Sequence, residues 1–272
     1  MKPTSIFALI LLAAVSALAQ PFDRTWVSQR TGNDANNCLF ATPCLTFQGA
    51  YAKTNPGGII LAIDAGGYST VTVTTPIIID GNGVGAIIEV SSGTGVQVNN
   101  AGLVEIRNLT IHVPASCSVT CNGIGEQNSL VSVENVSITG APTYGVGLSS
   151  GAMTIHGLTV TGAANTGILV QNATATISDS IIRYSGNGIL LQGTSAATQA
   201  LIERSKMILN TTGLVVQSFA STATTARISD SVITGNTTGV STTGGGQIIT
   251  FRNNTWAGNS TDGTTPFSVS LK

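Results

Sequence analysis

Charge is scarce in this sequence. Lys, Arg, Asp and Glu together make up 8% of its 272 residues, and the formal net charge is −1. So little basic side chain leaves no footprint for nucleic acid and no cationic face for anionic lipid. Intrinsic disorder is excluded as well, because it needs low hydrophobicity and 42% of this chain is hydrophobic. Aromatic residues are only 5%. After residue 19 no apolar run is long enough to span a bilayer, so no transmembrane segment is expected in the mature chain. Beyond the first sixty residues no stretch offers the ten or so periodic positions that a helix needs. What fills the sequence instead is Gly, Ser, Thr, Asn and branched aliphatics, with 32 Gly in all.

These residues recur in order. A Gly followed by a branched aliphatic opens seven copies of one unit: Gly95-Val96, Gly123-Ile124, Gly145-Val146, Gly167-Ile168, Gly188-Ile189, Gly213-Leu214 and Gly239-Val240. The spacings are 28, 22, 22, 21, 25 and 26 residues. A second signature follows each opening, as in Ile155/Leu158/Val160, Ile177/Ser180/Ile182 and Ile202/Ser205/Met207. A period in this range marks a stacked-repeat architecture. Within a copy, period-2 runs such as Ile168-x-Val170 read as short strands bounded by turns. About three strands per copy, stacked in register, make an all-β, single-stranded parallel β-helix. Ile168 and Ile189 are expected in its core. The column Asn108, Asn135, Gly157, Asp179, Arg204, Asp230 and Asn253 reads as a turn needing left-handed backbone. The corner column that drifts from Leu109, Val136 and Leu158 to Ser180, Ser205, Ser231 and Asn254 is expected to hydrogen-bond along the axis.

The ends of the chain read differently. Lys2, the apolar run 6–15 and Ala17-Leu18-Ala19 form a secretory signal, so residues 1–19 are expected to be removed near Ala19 and the protein exported to periplasm or medium. Residues 20–57 read as an N-terminal cap containing the strand Trp26-Val27-Ser28 and a short helix. Thr42 is its expected N-cap, with Pro43 at the first helical position. Residues 58–257 form the β-helix, and 258–272 a C-terminal cap. The four Cys, at 38, 44, 117 and 121, favour disulfides in an exported chain. Three pairings are open, and sequence proximity favours Cys38–Cys44 and Cys117–Cys121. No His lies close in sequence to either pair, so neither zinc nor any other metal is expected, and no cofactor.

Taken with Trp26-Val27-Ser28, Pro43-Cys44-x-Thr46-Phe47, Pro56-Gly57-Gly58 and Gly67-Tyr68, the repeats resemble right-handed parallel β-helix proteins of the pectin-lyase-like superfamily. The N-terminal part is similar to secreted bacterial members of unassigned function. The resemblance implies the right-handed fold over almost all of the mature chain. For activity it implies little, because one fold hosts lyases, hydrolases, esterases and non-enzymes. The superfamily's pectate lyases hold calcium on carboxylates of adjacent rungs. Its hydrolases cluster aspartates with Gly-His-Gly and Arg-x-Lys elements. Here His156 lacks the first Gly of that triplet, and no Asp-Asp pair or Asn-Thr-Asp occurs.

The best acidic constellation is Asp179, Arg204 and Asp230, one column with an Arg between the carboxylates. A salt-bridge ladder at a turn is its simpler account; catalysis by these three is the weaker one. For binding, the outward positions Leu169, Leu190 and Val215 are expected to stack beside Gln171, Gln192 and Gln217. Two neighbouring copies carry longer loops, 193–200 and 218–226, beside this strip, with Phe219 among their few large side chains. Tyr184 and Phe219 are the aromatics expected near it. The functional expectation is a non-enzymatic exported solenoid that binds polysaccharide or another envelope or extracellular component. The alternative is a polysaccharide lyase or glycoside hydrolase with diverged catalytic residues.

Overall fold

A computed structural model describes residues 22–117, 121–141, 143–219, 221–264 and 266–268. The segment read as a secretory signal, 1–19, lies outside them, as do residues 269–272 of the expected C-terminal cap.

The short alternating runs do form strands, and equivalent strands of successive copies pair in parallel. They build three sheets. The first has eleven strands, from Phe22–Val27 to Phe267–Ser268. The second has nine, from Val71–Val73 to Thr261–Gly263, and the third nine, from Gly66–Tyr68 to Thr255–Trp256. One coil visits them in the order second, first, third, for example Thr166–Gln171, Ala173–Ser178 and Ile181–Arg183. The chain is therefore an all-β parallel solenoid with almost no helix.

Alternation decides what is inside. Ile168 pairs with Val146 below and Ile189 above, and all three are fully buried. Val170 pairs with Leu148 and Leu191 in the next inward column, equally buried. Each such side chain contributes roughly 1.5–3 kcal/mol by leaving water, and only the coils above and below make that burial complete.

The opening glycines have a steric reason. They sit where the third sheet passes into the second. A Cβ on Gly167 would lie 2.3 Å from Ile182 Cγ2 and 2.7 Å from the carbonyl oxygen of Gly188. Gly123, Gly145 and Gly213 meet the same pair of obstacles, an aliphatic of the third sheet and the carbonyl of the next glycine. Lacking a Cβ, the glycine column lets that aliphatic reach the core.

The turn from first to third sheet uses the left-handed region at Asn108, Asn135, Gly157, Asp179, Arg204 and Asp230, with φ from 45 to 66°. In the last coil the left-handed residue is Arg252 (φ 66°) and not the expected Asn253. Asn253 instead donates from Nδ2 to Asp230 Oδ1 at 2.9 Å. The corner ladder exists, and it runs from backbone to side chain. Leu158 N donates to Ser180 Oγ, Ser180 N to Ser205 Oγ, Ser205 N to Ser231 Oγ and Ser231 N to Asn254 Oδ1, at 2.8–3.2 Å. A second ladder, unforeseen from sequence, joins Ser185, Asn210, Asn236 and Asn259 at the opposite corner. Both satisfy buried amides that short corners leave without a sheet partner.

The N-terminal helix differs from expectation. It spans Phe47–Tyr51, and its N-cap is Thr46, whose hydroxyl accepts from Gly49 N. Thr42 and Pro43 lie outside it. Cys44 is held extended, since it bridges Val27, donates from N to Trp26 O and accepts from Ser28 N. Asp34 Oδ1 accepts from Leu45 N and Thr46 N, which delays the first turn further. The strand Thr54–Ala62 pairs with Phe22–Val27 and runs across position 57, so cap and first coil share a strand. Cys38–Cys44 and Cys117–Cys121 are both disulfide-bonded. No helix among the described residues is long and apolar enough to cross a membrane.

Candidate functional site

On the outer face of the second sheet the same alternation builds two columns. One runs Gln97, Gly125, Gly147, Leu169, Leu190, Val215. The other includes Asn99 and Gln127, then Gln171, Gln192 and Gln217. The three glutamines are in register and linked: Gln171 Nε2 donates to Gln192 Oε1 at 2.7 Å, and Gln192 Nε2 to Gln217 Oε1 at 3.2 Å. Each amide is fixed by its neighbour and keeps further donor and acceptor capacity for a ligand. The aliphatic row is less open than an outward position suggests. Leu169 and Val215 are each only 6% exposed, and Leu190 is partly buried.

Where the row changes from Leu169 to Gly147 and Gly125, the missing side chains leave a notch of about 180 Å³. Gln97, Gln127, Tyr144, Ser149 and Leu169 border it. The Tyr144 ring lies along its floor: a Cβ on Gly147 would stand 3.5 Å from Tyr144 Cδ2. Sequence reasoning missed this place. Its signal was available, as two outward glycines, Gly125 and Gly147, in consecutive coils. Tyr184, expected near the strip, follows the third-sheet strand Ile181–Arg183 and stands at another corner.

The strands extend into the segments read as loops, which shortens these to 194–197 and 219–223. They stand side by side as expected. Asn172 Oδ1 accepts from the amides of Thr194, Ser195 and Ala196, and Phe219 N donates to Gly193 O at 2.8 Å. Phe219, the first residue after the strand Thr212–Ser218, is 47% exposed.

Behind the notch, Glu126 occupies a core position. Its register partners are Val98 and Leu148, both fully buried, and Glu126 itself is 2% exposed. Oε1 accepts from Ser129 N at 2.5 Å, while Oε2 has no hydrogen-bond partner. Burial pushes this carboxyl above its ordinary value of 4.5, against the pull of the Ser129, Ser150 and Ser149 amides. The sign of its effect on stability follows. Below the ordinary value Glu126 is protonated in folded and unfolded chains alike. As pH rises past that value and through the raised folded one, the unfolded chain ionises freely while the folded chain must bury the charge. Stability is therefore lost toward neutrality. Glu126→Gln keeps the Ser129 bond and removes the charge. It is expected to raise stability by about 1–3 kcal/mol at pH 7 and to leave it unchanged near pH 4, as read by urea unfolding at the two pH values. Asp64 and Asp80 act in the opposite sense at lower pH. Despite opposing burial, bonds to Asp64 from Ser28, Gln29 N and Tyr68, and to Asp80 from Asn108, Asn82 N and Arg107, hold both below 3.8, so their contribution is lost as pH falls through the lowered values.

The acidic column is split. Arg204 binds Asp179 bidentately at 2.9 and 2.8 Å, and His156 Nδ1 lies 3.3 Å from the same carboxylate. Hydrogen bonds from Arg204 hold the Asp179 carboxyl below its ordinary range. Asp230 is bonded by Asn253, so the three residues do not form one ladder. The site is exposed and lies at the first-to-third-sheet turn, away from the outer face of the second sheet. The row Arg107, Glu134, His156 is in register, yet Arg107 pairs with Asp80 and Glu105 and His156 with Asp179. His112 Nδ1 is 3.0 Å from Thr139 Oγ1. Among the described residues no three His, Cys, Asp or Glu side chains come together as a metal site.

A family model described as a right handed beta helix region matches residues 122–268. No curated protein matches the sequence. Solved structures with a similar course include pectate lyase Pel9A, with 14% identity and a TM-score of 0.60 over 93% of this chain and 80% of that one. An alginate lyase from Paenibacillus sp. str. FPU-7 has 13% identity and a TM-score of 0.60 over 90% and 99%. A GH136 lacto-N-biosidase from Eubacterium ramulus has 11% identity and a TM-score of 0.55 over 91% and 68%. At these identities the likeness concerns the fold alone.

Proposed function

This chain belongs to the right-handed β-helix family, and we propose that it is an exported, non-catalytic solenoid that binds a hydroxylated polysaccharide on the outer face of its second sheet. The observation that carries this reading is the Gln171–Gln192–Gln217 ladder continuing into the Tyr144 notch. A polymer lying along the axis would meet one oriented amide per rung, then a glycine-floored recess beside an aromatic ring. Amides suit hydroxyl groups, which both donate and accept. Export is supported by the two disulfides and by the N-terminal segment 1–19. The polysaccharide-acting neighbours support a glycan as partner.

The carboxylates support binding over catalysis. Glu126 faces the core, Asp64 and Asp80 are each held by several hydrogen bonds, and Asp179 is clamped by Arg204. A pair of free carboxyl groups across the groove, which glycoside hydrolysis requires, is not found among the described residues lining it.

Replacing Gln171, Gln192 and Gln217 together by Ala is expected to weaken binding about tenfold or more, the scale of losing one to two net hydrogen bonds. Gel retardation by soluble polysaccharides measures this. The same polymers are expected to show no unsaturated or reducing ends after incubation. Release of either would establish the lyase or hydrolase alternative. Loss of that release in an Asp179→Asn or Asp230→Asn variant would then return catalysis to the acidic column.

A further inference from the structure

The third-sheet strands of six consecutive coils end on a residue in the left-handed region: Gly140, Gly162, Tyr184, Leu209, Gly235 and Gly258, with φ from 55 to 84°. Their equivalence follows from the sheet register. Four coils use glycine, which adopts this backbone freely. Two adjacent coils use Tyr and Leu, bulky residues for which it is a strained outlier. Crowding is not what the column shares: a Cβ on Gly140 would overlap the Val113 carbonyl oxygen, but one on Gly162, in the coil next to Tyr184, would meet no atom within 4 Å. Core packing does not explain the large residues, since Tyr184 is 57% and Leu209 48% exposed.

Both side chains border a groove of about 590 Å³ at the corner between third and second sheets. Its floor is small, with Ala164 and Gly186, and Thr211 and Thr237 line it one rung apart. The Arg183 guanidinium lies 5.8 Å from the centre of the Tyr184 ring. Its Nε donates to Thr161 Oγ1 at 3.1 Å, and no carboxylate pairs with it among the described residues.

We propose that this corner is a second saccharide subsite, separate from the outer face of the second sheet. The Tyr184 ring takes the apolar face of one pyranose, and Leu209 takes the next residue one rung on. Thr211 and Thr237 bond sugar hydroxyls, and Arg183 adds a donor for a hydroxyl or carboxylate. Two exposed apolar side chains are too few for the core of a stable protein interface. They do match a narrow polymer with one apolar face per residue and hydroxyls along its edges. The class of ligand rests on the glycan reading above; the place does not.

Tyr184→Gly and Leu209→Gly test the assignment, because glycine relieves the backbone while deleting the platform. Full-length protein is run through native gels containing xylan, mixed-linkage β-glucan, galactomannan, polygalacturonate or alginate, each alone. Wild type is expected to be retarded by at least one, and each glycine variant to bind that polymer at least fivefold more weakly, with Tm unchanged or raised. Full retardation of Tyr184→Gly overturns the proposal, as does a Tm fall of several degrees, which would make the residue structural. Failure of every polymer to retard the wild type overturns it too. The triple glutamine variant separates the two sites. If only that variant loses binding, the second-sheet reading stands and this one fails; if only the glycine variants lose it, the reverse holds.

Discussion

Ile189→Asp is expected to lower stability by about 4 kcal/mol or more, among the largest effects a single substitution produces. Ile189 is fully buried, stacked between Ile168 and Leu214 in the inward column of the second sheet. An aspartate there would stand in a column of aliphatic side chains, and an unpaired buried charge is the costliest polar error a core can contain. Each coil completes the burial of its neighbours, so the damage reaches the rungs on both sides. Urea unfolding followed by far-ultraviolet circular dichroism gives the loss directly. A change below about 1 kcal/mol, the range of exposed substitutions, would show that the inward register is wrong.

Gly167→Ala adds one methyl group and is expected to cost about 3 kcal/mol or more. Its Cβ would overlap Ile182 Cγ2 at 2.3 Å and the carbonyl of Gly188 at 2.7 Å. Overpacking a tight core typically costs about 1–3 kcal/mol, and here one obstacle is backbone held in a sheet, which cannot swing aside. Gly162→Ala is the control. It has open space around its Cβ and a left-handed φ of 80°, so only backbone strain of roughly 1–2 kcal/mol is expected. Equal losses in the two variants would mean that backbone freedom, and not close approach, selects glycine in the opening column.

The repeat was legible because stacking forces every coil to solve the same problem. Gly-aliphatic openings, inward Ile and Val at period 2, and turn Asn and Asp recur wherever the backbone recurs. From these alone the three-stranded coil, the core position of Ile168 and Ile189 and the alignment of Gln171, Gln192 and Gln217 follow. The helix start did not follow. Thr42-Pro43 is a sound local signal, but the pairing of Cys44 with Val27 and Trp26 keeps that stretch extended. A long-range bridge overrode local propensity.

The candidate sites were decided at the same level. Local sequence presents Glu126 as one more polar residue beside glycine; the register turns it inward between Val98 and Leu148. Tyr184 reads as an aromatic near the glutamine strip. The order of the sheets carries it instead to another corner, beside Leu209 and in the left-handed backbone that neighbouring coils give to glycine. Periodicity in the sequence determined which residues share a column and which columns face the core, because both depend only on spacing along the chain. Which columns lie next to one another, where missing side chains open a recess, and which outward residues stay uncovered were decided by the tertiary structure, because those depend on where each coil bends.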